Sequence, residues 1–171
     1  MLFRSIMVEG KLLIIVIYVD DLILTNDEQL IHSCKEDLPR EFEMKDMGLH
    51  YFLGLEIWQR DGEIFVSQGK YAKEILGKFN MESCKPMDTP IPGNWRKEDA
   101  TSGEVVDATV YRQLVGSLMY LVNMRPDICY TVNQLSQAMV NPIRLFWKAC
   151  KHILRYLRGT SKYGIWYRRT N

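Results

Sequence analysis

Two acidic residues, Asp20 and Asp21, stand side by side inside the stretch "LLIIVIYVDDLILT", Leu12 to Thr25. Adjacent carboxylates repel, so their pairing calls for either full solvation or a divalent cation that neutralises both. Magnesium takes hard oxygen ligands and keeps several waters, so a few aspartates on a rigid support suffice to hold it. Two such ions, about 3.5 to 4 Å apart, stabilise the attacking and leaving oxygens in phosphoryl transfer. The support is readable from the flanks. The apolar run from Leu12 to Val19 is rich in β-branched residues and too short to span a membrane as a helix, which predicts a buried strand. Asp20 and Asp21 then occupy the turn into a hairpin partner, where a ladder rather than a floppy loop fixes them. A merely solvated hairpin tip is the alternative reading of the same residues.

The rest of the chain predicts an α+β fold. Asp27 suits an N-cap for a helix over Glu28 to Phe42, with Pro39 bending or ending its last turn. A second hairpin turns at Asp61-Gly62, because glycine accepts positive φ. A short helix follows over Lys70 to Phe79. From Cys84 to Gly103 three prolines, two glycines and weak periodicity predict a linker. Beyond it, three helices are expected: Val110 to Met124, a second from Pro126 to about Met139, and a third with Asn141 as N-cap, Pro142 at its first position and Gly159 just past its end. The expected organisation is 1–83, a linker at 84–104, and a helical part at 105–171.

Charge divides along the same line. Residues 1–94 carry 10 Lys and Arg against 16 Asp and Glu, whereas residues 95–171 carry 12 against 5. Residues 144–171 contain eight cations and no acid, which implies a partner of dense negative charge, nucleic acid being the commonest. On the third helix Ile143, Phe146, Trp147, Cys150, Ile153, Leu154 and Leu157 form a core stripe, and Arg144, Lys148, Lys151, Arg155 and Arg158 line another side. A solvated face usually mixes signs, so this one reads as a phosphate-contacting surface without base specificity. Gly116 lies mid-helix, at a cost of about 1 kcal/mol relative to alanine, and asks for a close neighbour, either another helix or a nucleic acid. Four dispersed cysteines suggest neither a zinc knuckle nor a disulfide framework and fit a reducing, intracellular setting. The amino terminus lacks a secretory pattern, and no membrane association is expected.

Tyr18-Val19-Asp20-Asp21 in an apolar hairpin resembles the YxDD box of reverse transcriptases, in the YVDD form of Ty1/copia-type retrotransposon polymerases. "REFEMKDMG", "HYFLGLEI", "VSQGKYAKEIL", "CKPMDTP", "YRQLVGSLMYL", "RPDI", "NQLSQAM" and "FWKACKHILRYLRGT" are similar to successive landmarks of that family, in its order. The resemblance implies a partial polymerase palm followed by a basic, thumb-like helical subdomain. It implies that Asp20 and Asp21 are two of three palm carboxylates binding two magnesium ions. Tyr18 would lie beside the primer terminus and incoming nucleotide. Tyr51 to Ile57 is similar to the primer-grip hairpin, with Phe52, Leu53 and Gly54 at its bend. Gln113, Gly116 and Tyr120, with Ser117 nearby, would follow the minor groove of an RNA or DNA template–primer duplex, and the cationic helix would hold its backbone.

The pattern also departs from the family. The third aspartate and the fingers belong upstream, yet only 19 residues precede Asp20. An apparent deletion between Gly48 and Leu49, Asn26 at a turn position and Pro39 within a helix look like drift. The expectation is a fragment of an RNA-directed DNA polymerase, inactive by itself, that needs the upstream palm and fingers for activity and is prone to self-association through its truncated sheet. The alternatives are a repurposed nucleic-acid-binding module and a transposon relic without function.

Overall fold

A computed structural model describes residues 2–93, 95 and 106–169. The chain forms two compact units, Met1–Phe52 and Leu53–Asn171.

The first unit is built on three antiparallel strands in the order β1 (Leu2–Val8), β2 (Lys11–Tyr18), β3 (Asp21–Asn26), followed by helix α1 (Glu28–Glu41). The β1–β2 turn holds Glu9 and Gly10 at φ +50° and +78°, the two positive values that a tight hairpin turn of right-handed twist requires. Strand β1 was not expected from the sequence. Asp27 caps α1 as expected, its Oδ1 accepting from the backbone N–H groups of Gln29 and Leu30 at 3.1 and 3.0 Å, and Pro39 falls in the last turn. The two-residue strand β4 (Tyr51–Phe52) ends the unit.

The second unit carries the main core. Strands β5 (Leu55–Arg60), β6 (Glu63–Ser67) and β7 (Gly164–Arg168) pair antiparallel in that order, with Asp61-Gly62 at the tight turn and Gly62 at φ +71°. Helices α2 (Gly69–Lys78), α3 (Ala108–Leu121), α4 (Cys129–Ser136, entered through a short 3₁₀ turn at Pro126–Ile128) and α5 (Arg144–Gly159) pack around one cluster. Tyr111, Leu114, Val115, Leu118 and Leu121 of α3 are all buried, as are Cys150, Ile153, Leu154 and Leu157 of α5, matching the helical period of apolar positions.

Several boundaries differ from expectation; α3, for one, runs Ala108–Leu121 rather than Val110 to Met124. The units divide at Phe52 and Leu53 rather than across 84–104, because Ala72, Ile75 and Leu76 of α2 share the core of α3 to α5 and β7 pairs with β6. Part of the expected linker, 94 and 96–104, lies outside the described residues. Helix α5 begins at Arg144, not at Pro142: the Pro142 carbonyl accepts from Val106 N–H at 3.2 Å, and Ile143 is extended at φ −103° and ψ 164°. Asn141 therefore does not cap it, and Gly159 is its last residue, with Thr160 at the cap. The middle helix ends at Ser136, short of Met139.

Candidate nucleic-acid interface

The hairpin is present, but its turn falls one residue earlier than the sequence reading put it, with Asp21 already in β3. Tyr18 and Asp21 are register partners, so Val19 and Asp20 form the two-residue turn between β2 and β3. Val19 is held at φ +48° and is 79% exposed. A β-branched residue in the left-handed region is uncommon and strained, a feature that clusters at functional turns. Tyr18, Asp20 and Asp21 are all exposed, so hydration spreads the carboxylate charge, and no ion pair among the described residues uses either acid. Two exposed carboxylates on a rigid turn are hard oxygen donors of the kind magnesium takes. Among the described residues no group of three or more His, Cys, Asp or Glu that could hold a metal ion is present. Lys45 is exposed, and its neighbour Asp46 is held below the usual carboxylate range by a bond from Gly48 N–H and by Lys35 at 2.9 Å.

In the second unit Leu53 and Gly54 make the tight turn before β5, at φ +51° and +78°. Phe52 precedes it, half-buried. The turn is latched to α3: Tyr120 O–H donates to the Leu53 carbonyl at 2.7 Å, and the Tyr120 ring meets Tyr71 edge-on at 5.0 Å. A Cβ at position 54 would lie 2.9 Å from that hydroxyl. Gly54 is thus explained by its φ and by Tyr120, both within the chain.

Gly116 has the opposite environment. It is exposed on α3 with Gln113 and Tyr120, and a Cβ there would meet nothing within 4 Å. No helix of the described chain makes the close approach that a mid-helix glycine allows. Ser117 turns its hydroxyl inward along the helix, donating to the Gln113 carbonyl at 2.9 Å.

The cationic stripe of α5 divides in two. Arg144, Lys148 and Lys151 are exposed, with Lys151 Nζ 5.5 Å from the Trp147 ring. Arg155 and Arg158 spend their Nε donors on the Lys85 and Glu82 carbonyls, at 2.8 and 2.6 Å. The same strap is fixed by Met87 N–H to the Arg155 carbonyl at 3.3 Å and by His152 at 2.9 Å from the Thr89 oxygen. Sequence periodicity put all five cations on one side, but it could not show that a neighbouring segment occupies two of them.

The sequence reading also missed β7 and a buried guanidinium, Arg125. The signal for β7 is the β-branched and aromatic run Ile165-Trp166-Tyr167, which suits a strand although it does not alternate apolar with polar. Nothing in the string "RPDI" itself shows that its arginine is 3% exposed.

The chain is 40% identical over 165 residues to the retrovirus-related Pol polyprotein from transposon RE1 of Arabidopsis thaliana, covering 95% of this chain and 11% of that protein. It is 38% identical over 164 residues to the Pol polyprotein from transposon TNT 1-94 of Nicotiana tabacum, covering 90% and 12%. An uncharacterized mitochondrial protein of Arabidopsis thaliana is 39% identical over 154 residues, covering 89% of this chain and 64% of its own length. The chain therefore spans less than two thirds of each of these relatives. No solved structure matches it. Residues 2–93, which include the acidic turn and the Leu53-Gly54 turn, match the model of the reverse transcriptase (RNA-dependent DNA polymerase) family, and with its copia-type transposon relatives this establishes that the chain belongs to that family.

Proposed function

We propose that this chain is a palm and thumb portion of a copia-type reverse transcriptase, whose acidic turn carries metal and whose helical unit holds a template–primer duplex. The β2–β3 turn carries the reading: it lifts Asp20 and Asp21 into solvent on a rigid ladder, within the region matched to the family. Two divalent ions, when bound, neutralise charge on the transferring phosphoryl group. Asp20 and Asp21 supply two carboxylates, Tyr18 flanks the primer end, and a two-ion site calls for further oxygen ligands beside them. Gly116, open on an exposed helix face between Gln113 and Tyr120, admits the duplex minor groove at backbone distance. Arg144, Lys148 and Lys151 take its phosphates, whereas Arg155 and Arg158 hold the 82–89 strap.

Two measurements test this. Primer extension with magnesium is expected to give no product from the 171 residues by themselves; product that Asp20→Asn abolishes would refute the incomplete metal site. Affinity for an RNA–DNA duplex should fall steeply with salt, and the combined Lys148→Gln and Lys151→Gln variant should lower the salt slope by about 2. Arg155→Gln should leave that slope unchanged. Equal slopes in all variants would remove α5 from the interface. Among the described residues no helix is long and apolar enough to cross a membrane.

A further inference from the structure

The β5–β6–β7 sheet has two chemically different faces. Strand register places Trp58, Phe65 and Trp166 in one row across the three strands, and Arg60, Glu63 and Arg168 in the next row of the same face. The opposite face carries Ile57, Val66 and Ile165. Trp58 and Trp166 meet edge-on at 5.6 Å, and Trp166 lies 4.9 Å from the half-buried Phe65. Each indole remains 46% exposed. Arg60 sits 5.2 Å from the Trp58 ring and Arg168 sits 5.6 Å from the Trp166 ring. Glu63 ties the row together, at 2.5 Å from Arg60 and 3.2 Å from Arg168.

A row of three charges resists burial beneath an apolar protein neighbour, because removing its water costs more than the pairs return. Exposed indoles beside guanidinium groups instead match the two things an unpaired nucleotide presents, a π-face and a phosphate. Arg60 commits Nε and Nη2 to Glu63, and Arg168 commits Nε, so each keeps donors for a phosphate while Glu63 fixes its direction. Within this charged row two cations stand against one acid. A duplex hides its base faces within the stack; a single strand does not.

We infer that this aromatic and arginine face binds single-stranded nucleic acid, with bases stacking on Trp58 and Trp166 and phosphates on Arg60 and Arg168. The residues differ from those assigned to the duplex, so the two readings fail separately. The test is titration of the full chain with labelled oligothymidylate and oligouridylate, read by anisotropy and by indole quenching. Trp166→Ala should weaken binding by about fivefold or more, and Trp166→Phe should restore most of it. Arg60→Gln with Arg168→Gln leaves the rings in place and should lower the salt slope by about 1.4. RNA–DNA duplex affinity should not change in any of these variants, which also shows that they are folded. Single-strand affinity equal to wild type in the double arginine variant and in Trp166→Phe and Trp166→Ala overturns the inference. So does a Trp166→Ala variant whose one effect is to convert an associated chain to a monomer, since that assigns the face to a protein contact. Loss of duplex binding with single-strand binding intact would instead sink the duplex reading.

Discussion

Replacing Arg125 by methionine should unlock the second unit. The guanidinium is 3% exposed and forks onto Asp127, Nε to Oδ1 at 2.9 Å and Nη2 to Oδ2 at 2.7 Å. It also donates to the Thr160 carbonyl at 2.9 Å and hydroxyl at 2.7 Å, joining the α3–α4 connection to the end of α5. Tyr156 and Tyr163 flank it, at 5.6 and 5.4 Å from ring centroid to guanidinium carbon. Methionine keeps much of the volume and removes every donor. Breaking a buried pair costs about 3 to 5 kcal/mol. The Asp127 side chain is 32% exposed and regains water, which points to the lower end, about 3 kcal/mol. For a chain of this size that is a fall in Tm of about 6 to 12 °C, measurable by circular dichroism together with urea unfolding at unchanged slope.

A second observable follows from the same geometry. Burial pushes the Asp127 carboxyl up, but hydrogen bonds from Arg125 and Tyr156 and the guanidinium charge outweigh it and hold it below the usual range. A depressed folded value means stability that is present above the unfolded value of about 3.9 and lost as pH falls through the folded one. Wild type should therefore lose stability below about pH 4. In Arg125→Met burial and the Tyr156 bond remain but the guanidinium is gone, so this acid-side loss should shrink. A Tm change under about 2 °C with the acid-side slope intact would refute the argument, because the lock would then carry no net energy.

Gly164→Ala should disrupt the β6–β7 pairing: an added Cβ would lie 2.3 Å from the Val66 carbonyl oxygen and 2.8 Å from the Phe65 ring, so exchange of the β6 amides should speed up. Tyr120→Phe removes the bond to Leu53 and should cost about 0.5 to 1.5 kcal/mol, with faster amide exchange at the Leu53-Gly54 turn as the readout. Cys150 is buried and its thiol is pushed up to about 12 by burial, whereas Cys129 is exposed; alkylation of the folded chain at pH 8 should mark Cys129 and spare Cys150 until unfolding.

What was legible in the sequence was local or periodic. Asp27 as a cap, the turns at Asp20 and at Asp61-Gly62, and the buried faces of α3 and α5 follow from residue type and spacing within one element. What was hidden depends on distant segments. Pro142 reads as the first position of a helix, yet its carbonyl is taken by Val106, so the chain stays extended to Ile143. Arg155 and Arg158 carry the same signal as Lys148 and Lys151, and the strap at 82–89 separates them. The linker reading failed to anticipate the division at Phe52 for a similar reason: α2 buries Ala72, Ile75 and Leu76 in the same core as α3 and α5. Gly54 and Gly116 make the point in pairs. The structure supplies a close neighbour for one and open space at the other.

The two units also differ in how far they satisfy their own composition. Strand β2 is apolar on both faces, the pattern of a strand covered on both sides. Leu13 is the β2 residue that reaches burial, at 3% exposed, while Leu2, Phe3, Ile6, Met7 and Val8 of β1 are all more than 40% exposed. Helix α1 buries none of its residues, so one helix does not supply the missing layer. The second unit, by contrast, seals Tyr111, Leu114, Leu118, Ile153 and Leu157 completely. The first unit therefore leaves most of its apolar strand residues without a covering layer of its own, whereas the second unit encloses its core. The acidic turn thus stands at the end of an apolar ladder, between β2 and β3, whose side chains remain largely open among the described residues.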